Sequence, residues 1–183
     1  MTTANVKLRM MIVTSLFAAI IGIFAQITIP LPLVPITGQT LAIGLAATIL
    51  GAKYGTLSVL VYLGLGAIGI PVFAQMSGGL GSLFGPTGGY LIGFLPAAFI
   101  IGYYLEKTSY TFMNALIANV IGMFITLTFG TIWLMMFANL SWTGAFMGGF
   151  FPFILVGLIK AALAAWIGIL VRNRLESAKL LYI

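Results

Sequence analysis

Lys160 is the only charged side chain that lies deep inside an apolar stretch of this 183-residue sequence, in the run 149–171. If that run crosses a membrane, a central lysine costs roughly 2.5 to 3.5 kcal/mol, so a partner must offset the cost. The two acidic residues, Glu106 and Glu176, stand at the ends of apolar runs, from which a carboxylate cannot readily reach a mid-membrane ammonium. We therefore expect a bound anion to contact Lys160. The alternatives are that the side chain snorkels or lies neutral against carbonyl groups.

Three further polar side chains in or beside apolar runs are candidate ligand contacts: Gln39, Thr40 and Asn119. Each of them alone is equally well explained by a contact between helices. The sequence has no histidine and no cysteine, which removes the usual metal ligands, thiolate nucleophiles and the commonest general base. No acidic residue lies within a span, so an intramembrane proton relay is also missing. These absences predict a binding or transport protein with no metal site, rather than an enzyme.

Residues 69–94, GIPVFAQMSGGLGSLFGPTGGYLIGF, carry no charge and are too rich in glycine and proline for one continuous helix. We interpret the segment as a lid or a pocket wall. It contains no phosphate-binding motif of the GxxxxGK[ST] type. Thr87 is expected to cap the helix that follows, and that helix start either faces a ligand or is a plain cap. The candidate ligand contacts in this segment are Phe73, Thr87 and Tyr90.

The composition indicates an integral membrane protein. Hydrophobic residues make up 62% of the chain and charged residues 5%, whereas roughly a quarter of the residues are charged in soluble proteins. Two of the apolar runs are shorter than the ~20 residues that a spanning helix needs. We nevertheless predict an all-α protein with six transmembrane helices in a single membrane domain, residues 1–183, from runs at 8–29, 40–50, 56–68, 90–105, 112–138 and 149–171.

The basic residues favour six spans over five, because six spans place seven of the eight on one side of the membrane: Lys7, Arg9, Lys53, Lys107, Arg172, Arg174 and Lys179. The positive-inside rule then predicts that both termini are cytoplasmic. The uncharged connections 30–38, 70–89 and 139–148 fall on the outer side. At membrane depth, irregular backbone is tolerated only if it lines a cavity or is buried in protein, so these apolar connections predict a pocket open to the outside. The scattered basic residues form no patch typical of nucleic-acid binding.

Small side chains form a stripe on the first predicted helix: Ser15, Ala18, Ala19 and Gly22. Their small-xxx-small spacing allows close packing, either within this chain or against a partner helix. The chain has neither a nucleotide motif nor a proton relay. Active transport would therefore require a separate motor.

Four stretches closely resemble the BioY family: VPITGQTLAIGL at 34–45, YLGLGAIGIPVFA at 62–74, GPTGGYLIGF at 85–94 and LIKAALA in the last run. The resemblance covers nearly the whole chain. It implies the biotin-binding S component of an energy-coupling factor (ECF) transporter, with six helices and a pocket near the outer face. It also implies docking onto a transmembrane T component driven by two cytoplasmic ATPases in the cell membrane. Biotin would be the transported ligand, and no cofactor is expected.

The resemblance also suggests roles for particular residues. The small residues of the first helix match those that contact the T component in this family. Lys160 matches the lysine of the C-terminal signature, for which we expect a contact with the valerate carboxylate or another polar group of biotin. Relatives commonly carry Asp three residues earlier, where this sequence has Gly157. The main alternative function is an autonomous channel or facilitator for a small anionic solute.

Overall fold

The computed structural model describes residues 3–181. Helices make up most of this part of the chain. The smaller elements are one short β-ribbon, a 3-10 turn at Ala74–Met76 and a one-turn helix at Leu80–Leu83. In chain order the elements are α1 (Thr3–Ala25), β1 (Thr28–Ile29), β2 (Ile36–Thr37), α2 (Gln39–Ala67), α3 (Leu80–Leu83), α4 (Gly88–Lys107), α5 (Phe112–Phe137), α6 (Trp142–Gly149) and α7 (Phe151–Ser177).

Within the described residues, five helical stretches are long and apolar enough to cross a membrane: Val6–Ala25, Gln39–Ala67, Gly88–Lys107, Phe112–Phe137 and Trp142–Ser177. The chain is therefore a helical, multi-pass membrane protein. This count differs from the six predicted runs because the second and third runs are joined without a loop in α2. The connection predicted at 139–148 contains the short helix α6, which continues almost directly into α7.

Helix α2 folds back on itself at Gly51, whose φ of 73° and ψ of −173° interrupt the helical backbone. The Gln39 Nε2 donates a hydrogen bond to the Tyr62 hydroxyl, 23 residues further along the chain. In a straight helix these residues would lie about 34 Å apart, so α2 must be a hairpin of two legs. A Cβ atom at Gly55 would lie 2.7 Å from the Cα atom of Ala47, which shows how closely the legs approach. The positive φ at the bend favours glycine.

Charged side chains hold the bend of α2, and we call this region, residues 49–53, 106–111 and 172–176, the charged end. The Glu106 Oε1 accepts a hydrogen bond of 2.8 Å from the Ala52 amide, which starts the second leg. The buried Arg172 donates from Nη1 to the Ile49 carbonyl at 2.7 Å, at the end of the first leg. The ends of a helix leave amides and carbonyls without partners in that helix. Glu106 thus supplies the acceptor for the Ala52 amide, and Arg172 supplies the donor for the Ile49 carbonyl.

Arg172 has two further contacts at the charged end. Its Nε lies 2.8 Å from Glu176 Oε1, and its guanidinium lies 3.4 Å from the centre of the Tyr110 ring. Burial raises the pKa of the Tyr110 phenol, so the ring under Arg172 is neutral at physiological pH. The contact is therefore a cation–π interaction rather than an ion pair.

The opposite end of the bundle contains the connections 26–38, 68–87 and 138–150, and we call it the pocket end. Trp133 Nε1 donates to the Gly85 carbonyl at 2.9 Å, and Tyr90 donates to the Gly149 carbonyl at 2.6 Å. The β1–β2 ribbon pairs Thr28 with Thr37 and lies in the first of these connections. The Gln26 Oε1 of the first connection accepts from the Met76 amide of the second. A Cβ at Gly148 in the third would lie 2.5 Å from Leu33 Cδ1 in the first. The three connections therefore contact one another.

Candidate ligand pocket

A cavity of about 500 Å³ lies at the pocket end and extends between the helices. This volume falls within the range of small-molecule binding sites, about 300 to 1,000 Å³. Its wall includes parts of the connections 31–37 and 73–87, the first leg of α2, and faces of α4, α5 and α7. All seven residues predicted as ligand contacts line this one cavity: Gln39, Thr40, Phe73, Thr87, Tyr90, Asn119 and Lys160.

Lys160 is half-buried in the cavity wall and has partners within the chain. Its Nζ donates to the Thr37 carbonyl at 2.6 Å and lies 3.4 Å from the Thr40 hydroxyl oxygen. One of the alternatives drawn from the sequence, a contact with carbonyl groups, is therefore present at Thr37 in β2, and the Thr40 hydroxyl is a second partner. Glu106 and Glu176 both make their contacts at the charged end. Since an ammonium has three donors, Lys160 retains hydrogen-bonding capacity for a ligand.

Gln39 connects the two legs of α2 at the mouth of the cavity. Its Nε2 donates to the Tyr62 hydroxyl, and its Oε1 accepts from the Thr37 hydroxyl at 2.7 Å. Gln39 and Tyr62 are buried, and the Tyr62 ring packs edge-on against Phe73 with 5.5 Å between ring centres. Gln39 therefore positions the surrounding elements, and one N–H of its amide remains for other contacts.

Asn119 lies deeper in the cavity, where α5 meets the first leg of α2. Its Nδ2 donates to the Thr48 hydroxyl at 3.0 Å and to the Ala115 carbonyl at 2.8 Å. Both amide protons are thereby used within the chain, and the Oδ1 packs beside Gly44. Asn119 can therefore offer a ligand an acceptor and not a donor.

Two residues of the α4 start line the cavity in different ways. Thr87 occupies the N-cap position of α4, as predicted, but its side chain makes no capping hydrogen bond. Tyr90 donates to the Gly149 carbonyl and packs against Phe153, with 6.3 Å between ring centres. The Thr87 hydroxyl is consequently available to a ligand, whereas the Tyr90 hydroxyl already fastens α4 to the α6–α7 junction.

The sequence reading missed most of the apolar wall of the cavity. On α4 this wall includes Tyr90, Phe94, Ala97 and Ile101, which recur at intervals of three or four residues and so share one helix face. The same spacing around Asn119 and Lys160 adds Met123, Leu127, Phe153 and Val156. Following the helical period outward from each polar candidate would have identified these residues.

Gly157 also lines the cavity. A side chain at this position would meet the Met123 sulfur, so Met123 fills the adjacent space. This chain thus places a thioether where a carboxylate at position 157 would extend. The polar part of the cavity consequently depends on the other residues of the wall.

The predicted docking stripe on α1 does not form one free face. Ser15 and Ala19 are exposed, whereas Ala18 and Gly22 are buried inside the bundle. A Cβ at Gly22 would lie 3.4 Å from Val72 Cβ, in the connection that covers the cavity. The prediction is therefore wrong for Ala18 and Gly22, because small-residue spacing does not reveal which side of a helix faces the chain's own core.

Comparisons with known proteins agree on one family. A sequence model described as the BioY family matches residues 1–177. The chain is 42% identical over 165 residues to "Biotin transporter BioY2" of Lactococcus lactis subsp. cremoris, covering 90% of this chain and 91% of that protein. It is 43% identical over 162 residues to "Biotin transporter BioY" of Thermotoga maritima, covering 88% and 95% of the two chains.

The fold also matches a solved structure described as the S-component for biotin from an ECF-type ABC transporter. The TM-score is 0.85 and the sequence identity is 32%, over 94% of this chain and 95% of the other. The likeness therefore covers nearly the whole chain. Sequence and fold lead to the same conclusion: the chain belongs to the BioY family.

Proposed function

We propose that this chain is the biotin-binding S component of an ECF-type transporter and that biotin binds in the cavity at the pocket end. The observation that carries the proposal is the cavity itself, enclosed by a fold that matches the biotin S-component over 94% of the chain. The role is binding and translocation rather than catalysis. Its named relatives are biotin transporters, which supports the same ligand for this chain.

The chemistry of the cavity suits biotin. Biotin has an apolar sulfur-containing ring and an alkyl chain, together with a fused cyclic urea and a carboxylate. Aromatic and aliphatic side chains of α4, α5 and α7 would cover the apolar parts. Lys160 would donate to the carboxylate or another polar group, while the Asn119 Oδ1 would accept from an N–H donor. Gln39, Thr40, Phe73, Thr87 and Tyr90 would complete the contacts.

In the orientation that we propose, both termini lie in the cytoplasm and the pocket end lies at the outer face of the cell membrane. The charged end contains Lys53, Lys107 and Arg172, and the Arg9 guanidinium contacts the Lys179 carbonyl at 3.3 Å. These basic residues would lie on the cytoplasmic side under the positive-inside rule.

Energy for uptake would come from a T component and two ATPases, since this sequence has no nucleotide motif. Purified chain in liposomes should bind biotin without concentrating it, and uptake should begin when the energising subunits and ATP are added. Uptake by the chain alone that only equilibrates biotin across the membrane would instead support the facilitator. Concentrative uptake by the chain alone would contradict this part of the proposal.

The docking surface for the T component would use the exposed side of α1, around Ser15 and Ala19. Ala19→Trp should abolish assembly with the T component while biotin binding persists, because a large side chain holds helices apart. The control is Ala18→Trp, which places the same bulk inside the bundle and should destabilise the isolated chain. Normal assembly of the Ala19→Trp protein would exclude this surface.

A further inference from the structure

Gln26, the residue that follows α1, holds the turn that covers the cavity. Its Nε2 lies 3.1 Å from the Phe73 carbonyl and 3.4 Å from the Val72 carbonyl, and it also donates to the Gly22 carbonyl at 3.0 Å. Its Oε1 accepts a hydrogen bond of 2.9 Å from the Met76 amide. One side-chain amide thus contacts both the entering and the leaving strand of the turn at residues 72–77.

This turn has an unfavourable backbone conformation. Gln75 has φ of 58° and Met76 has φ of 56°, in the left-handed region that residues other than glycine rarely occupy. A β-bridge between Phe73 and Ser77 closes the turn. Such a conformation persists only where surrounding contacts impose it, and the Gln26 amide supplies a partner for Met76.

The same turn forms part of the cavity wall through Phe73, Ala74, Gln75 and Ser77. The turn also approaches α1 where Val72 lies beside Gly22. Any change in the position of the α1 end relative to the turn would therefore alter the Gln26 hydrogen bonds.

We infer that Gln26 is a positioning residue that holds the 72–77 turn closed on the ligand and ties the turn to α1. The inference rests on the proposed function for the identity of the ligand, biotin. Gln26 does not line the cavity, so it acts through the turn and not through contact with the ligand. Biotin would leave when these hydrogen bonds break, which makes α1 the element through which a partner could open the pocket.

The first test is the mobility of the turn in the ligand-free protein. The sequence has no cysteine, so Met76→Cys creates a single site for a nitroxide label, at a side chain that is 66% exposed. In that background Gln26→Met removes all the amide hydrogen bonds while keeping a similar length. The label should become more mobile than in the protein with Gln26.

Asn114→Leu is the matched control, because Asn114 is also a side-chain amide that fastens a connection. Its Nδ2 donates to the Ser109 carbonyl at 3.1 Å and to the Ser109 hydroxyl at 2.8 Å, between α4 and α5. This substitution should leave the label at position 76 unchanged. Equal mobility in the Gln26→Met and Asn114→Leu proteins would overturn the inference.

The second test is the rate at which biotin dissociates. Loss of the hydrogen bonds from Gln26 to Val72, Phe73 and Met76 should make dissociation from Gln26→Met about ten-fold faster. Gln26→Glu separates hydrogen bonding from packing, because an ionised carboxylate cannot donate to the Val72 and Phe73 carbonyls. At a pH that protonates the new carboxyl, dissociation should slow towards that of the unchanged protein at the same pH. Gln26→Met should show no such recovery.

The outcomes distinguish this inference from the proposed function. If the unchanged protein does not bind biotin, the proposed function fails, and label mobility in the empty protein still decides the role of Gln26. If biotin binds but Gln26→Met dissociates at the rate of Asn114→Leu, the positioning role fails and the proposed function stands. A Gln26→Glu protein without recovery at low pH would likewise contradict the role of the amide donors.

Discussion

The pocket end and the charged end of the bundle are fastened by different chemistry. At the charged end, Arg172 and Glu106 make charge-assisted hydrogen bonds to the two sides of the α2 bend. At the pocket end, the described connections are held by neutral groups, such as Gln26 on Met76 and Tyr90 on Gly149. Charge-assisted hydrogen bonds are roughly twice as strong as neutral ones. The comparison suggests a fixed end and an end whose contacts can exchange when a ligand enters.

Lys160 is the exception at the pocket end, since its ammonium contacts only neutral oxygens among the described residues. Arg172, in contrast, has a carboxylate, a carbonyl and an aromatic ring as partners. Arg172 is thus held by contacts within the fold, whereas Lys160 retains capacity for a ligand. Substitutions at the two ends should separate stability from binding.

The largest effect on stability is expected for Arg172→Met. It removes the hydrogen bond to the Ile49 carbonyl and the contact with Tyr110, which should lower the free energy of unfolding by roughly 2 to 4 kcal/mol. Thermal unfolding in detergent would measure the loss. Arg174→Met is the control, because Arg174 is exposed and should change stability by less than about 0.5 kcal/mol. Similar stability of the two variants would contradict a fixing role for the charged end.

Lys160→Met should have its main effect on binding. Biotin affinity should fall about ten-fold to a hundred-fold, because a charge-assisted contact contributes roughly 1.5 to 3 kcal/mol. The fold should tolerate the change, since methionine keeps much of the apolar stem and removes a partly buried charge. Equilibrium binding and thermal unfolding would be compared with Lys53→Met, an exposed lysine at the charged end. Unchanged affinity in a folded Lys160→Met protein would leave Lys160 with a purely internal role.

Tyr90→Phe should have a smaller effect than either cation. The substitution removes the hydrogen bond to the Gly149 carbonyl and keeps the ring packed against Phe153. Stability should fall by about 1 kcal/mol. Biotin affinity should change less than in Lys160→Met, because the Tyr90 hydroxyl is already engaged within the chain. An affinity loss as large as that of Lys160→Met would show that Tyr90 also contacts the ligand through its hydroxyl.

The smallest effect on stability is expected for Thr87→Ala, below about 0.5 kcal/mol, because the Thr87 hydroxyl does not cap α4. Ser141→Ala provides the comparison at the same end of the bundle. The Ser141 hydroxyl accepts from the Gly144 amide at 3.2 Å at the start of α6, so its loss should cost about 1 kcal/mol. Thermal unfolding would measure the stability of both variants. A larger loss in Thr87→Ala than in Ser141→Ala would show that the Thr87 hydroxyl stabilises the fold more than the Ser141 cap does.

The sequence was most informative where a polar group lies in an apolar run. Lys160 and Asn119 were identified because burying such groups without a partner is costly, and both line the cavity. The break between the predicted runs 40–50 and 56–68 contains the bend at Gly51, but the apolar pattern does not show that the reversal needs no loop. Lys160 donates to the backbone carbonyl of Thr37. Every residue has such a carbonyl, so no residue type in the sequence identifies this partner.

The α1 surface shows a second limit of the sequence reading. Residues four apart share a helix face, but their spacing does not show whether that face meets this chain, a partner or lipid. The burial of Gly22 follows from the path of the connection containing Val72. That path depends on contacts between residues distant in sequence, such as the hydrogen bonds of Gln26 with Phe73 and Met76.

The most direct test of the central claim is a calorimetric titration of the purified, unmodified chain with biotin and with a biotin amide. Biotin should bind saturably, with one site per chain. If Lys160 contacts the carboxylate, the amide should bind more weakly, and Lys160→Met should reduce its binding little further. Absence of saturable biotin binding by the folded chain would contradict the assignment of the cavity as a biotin site.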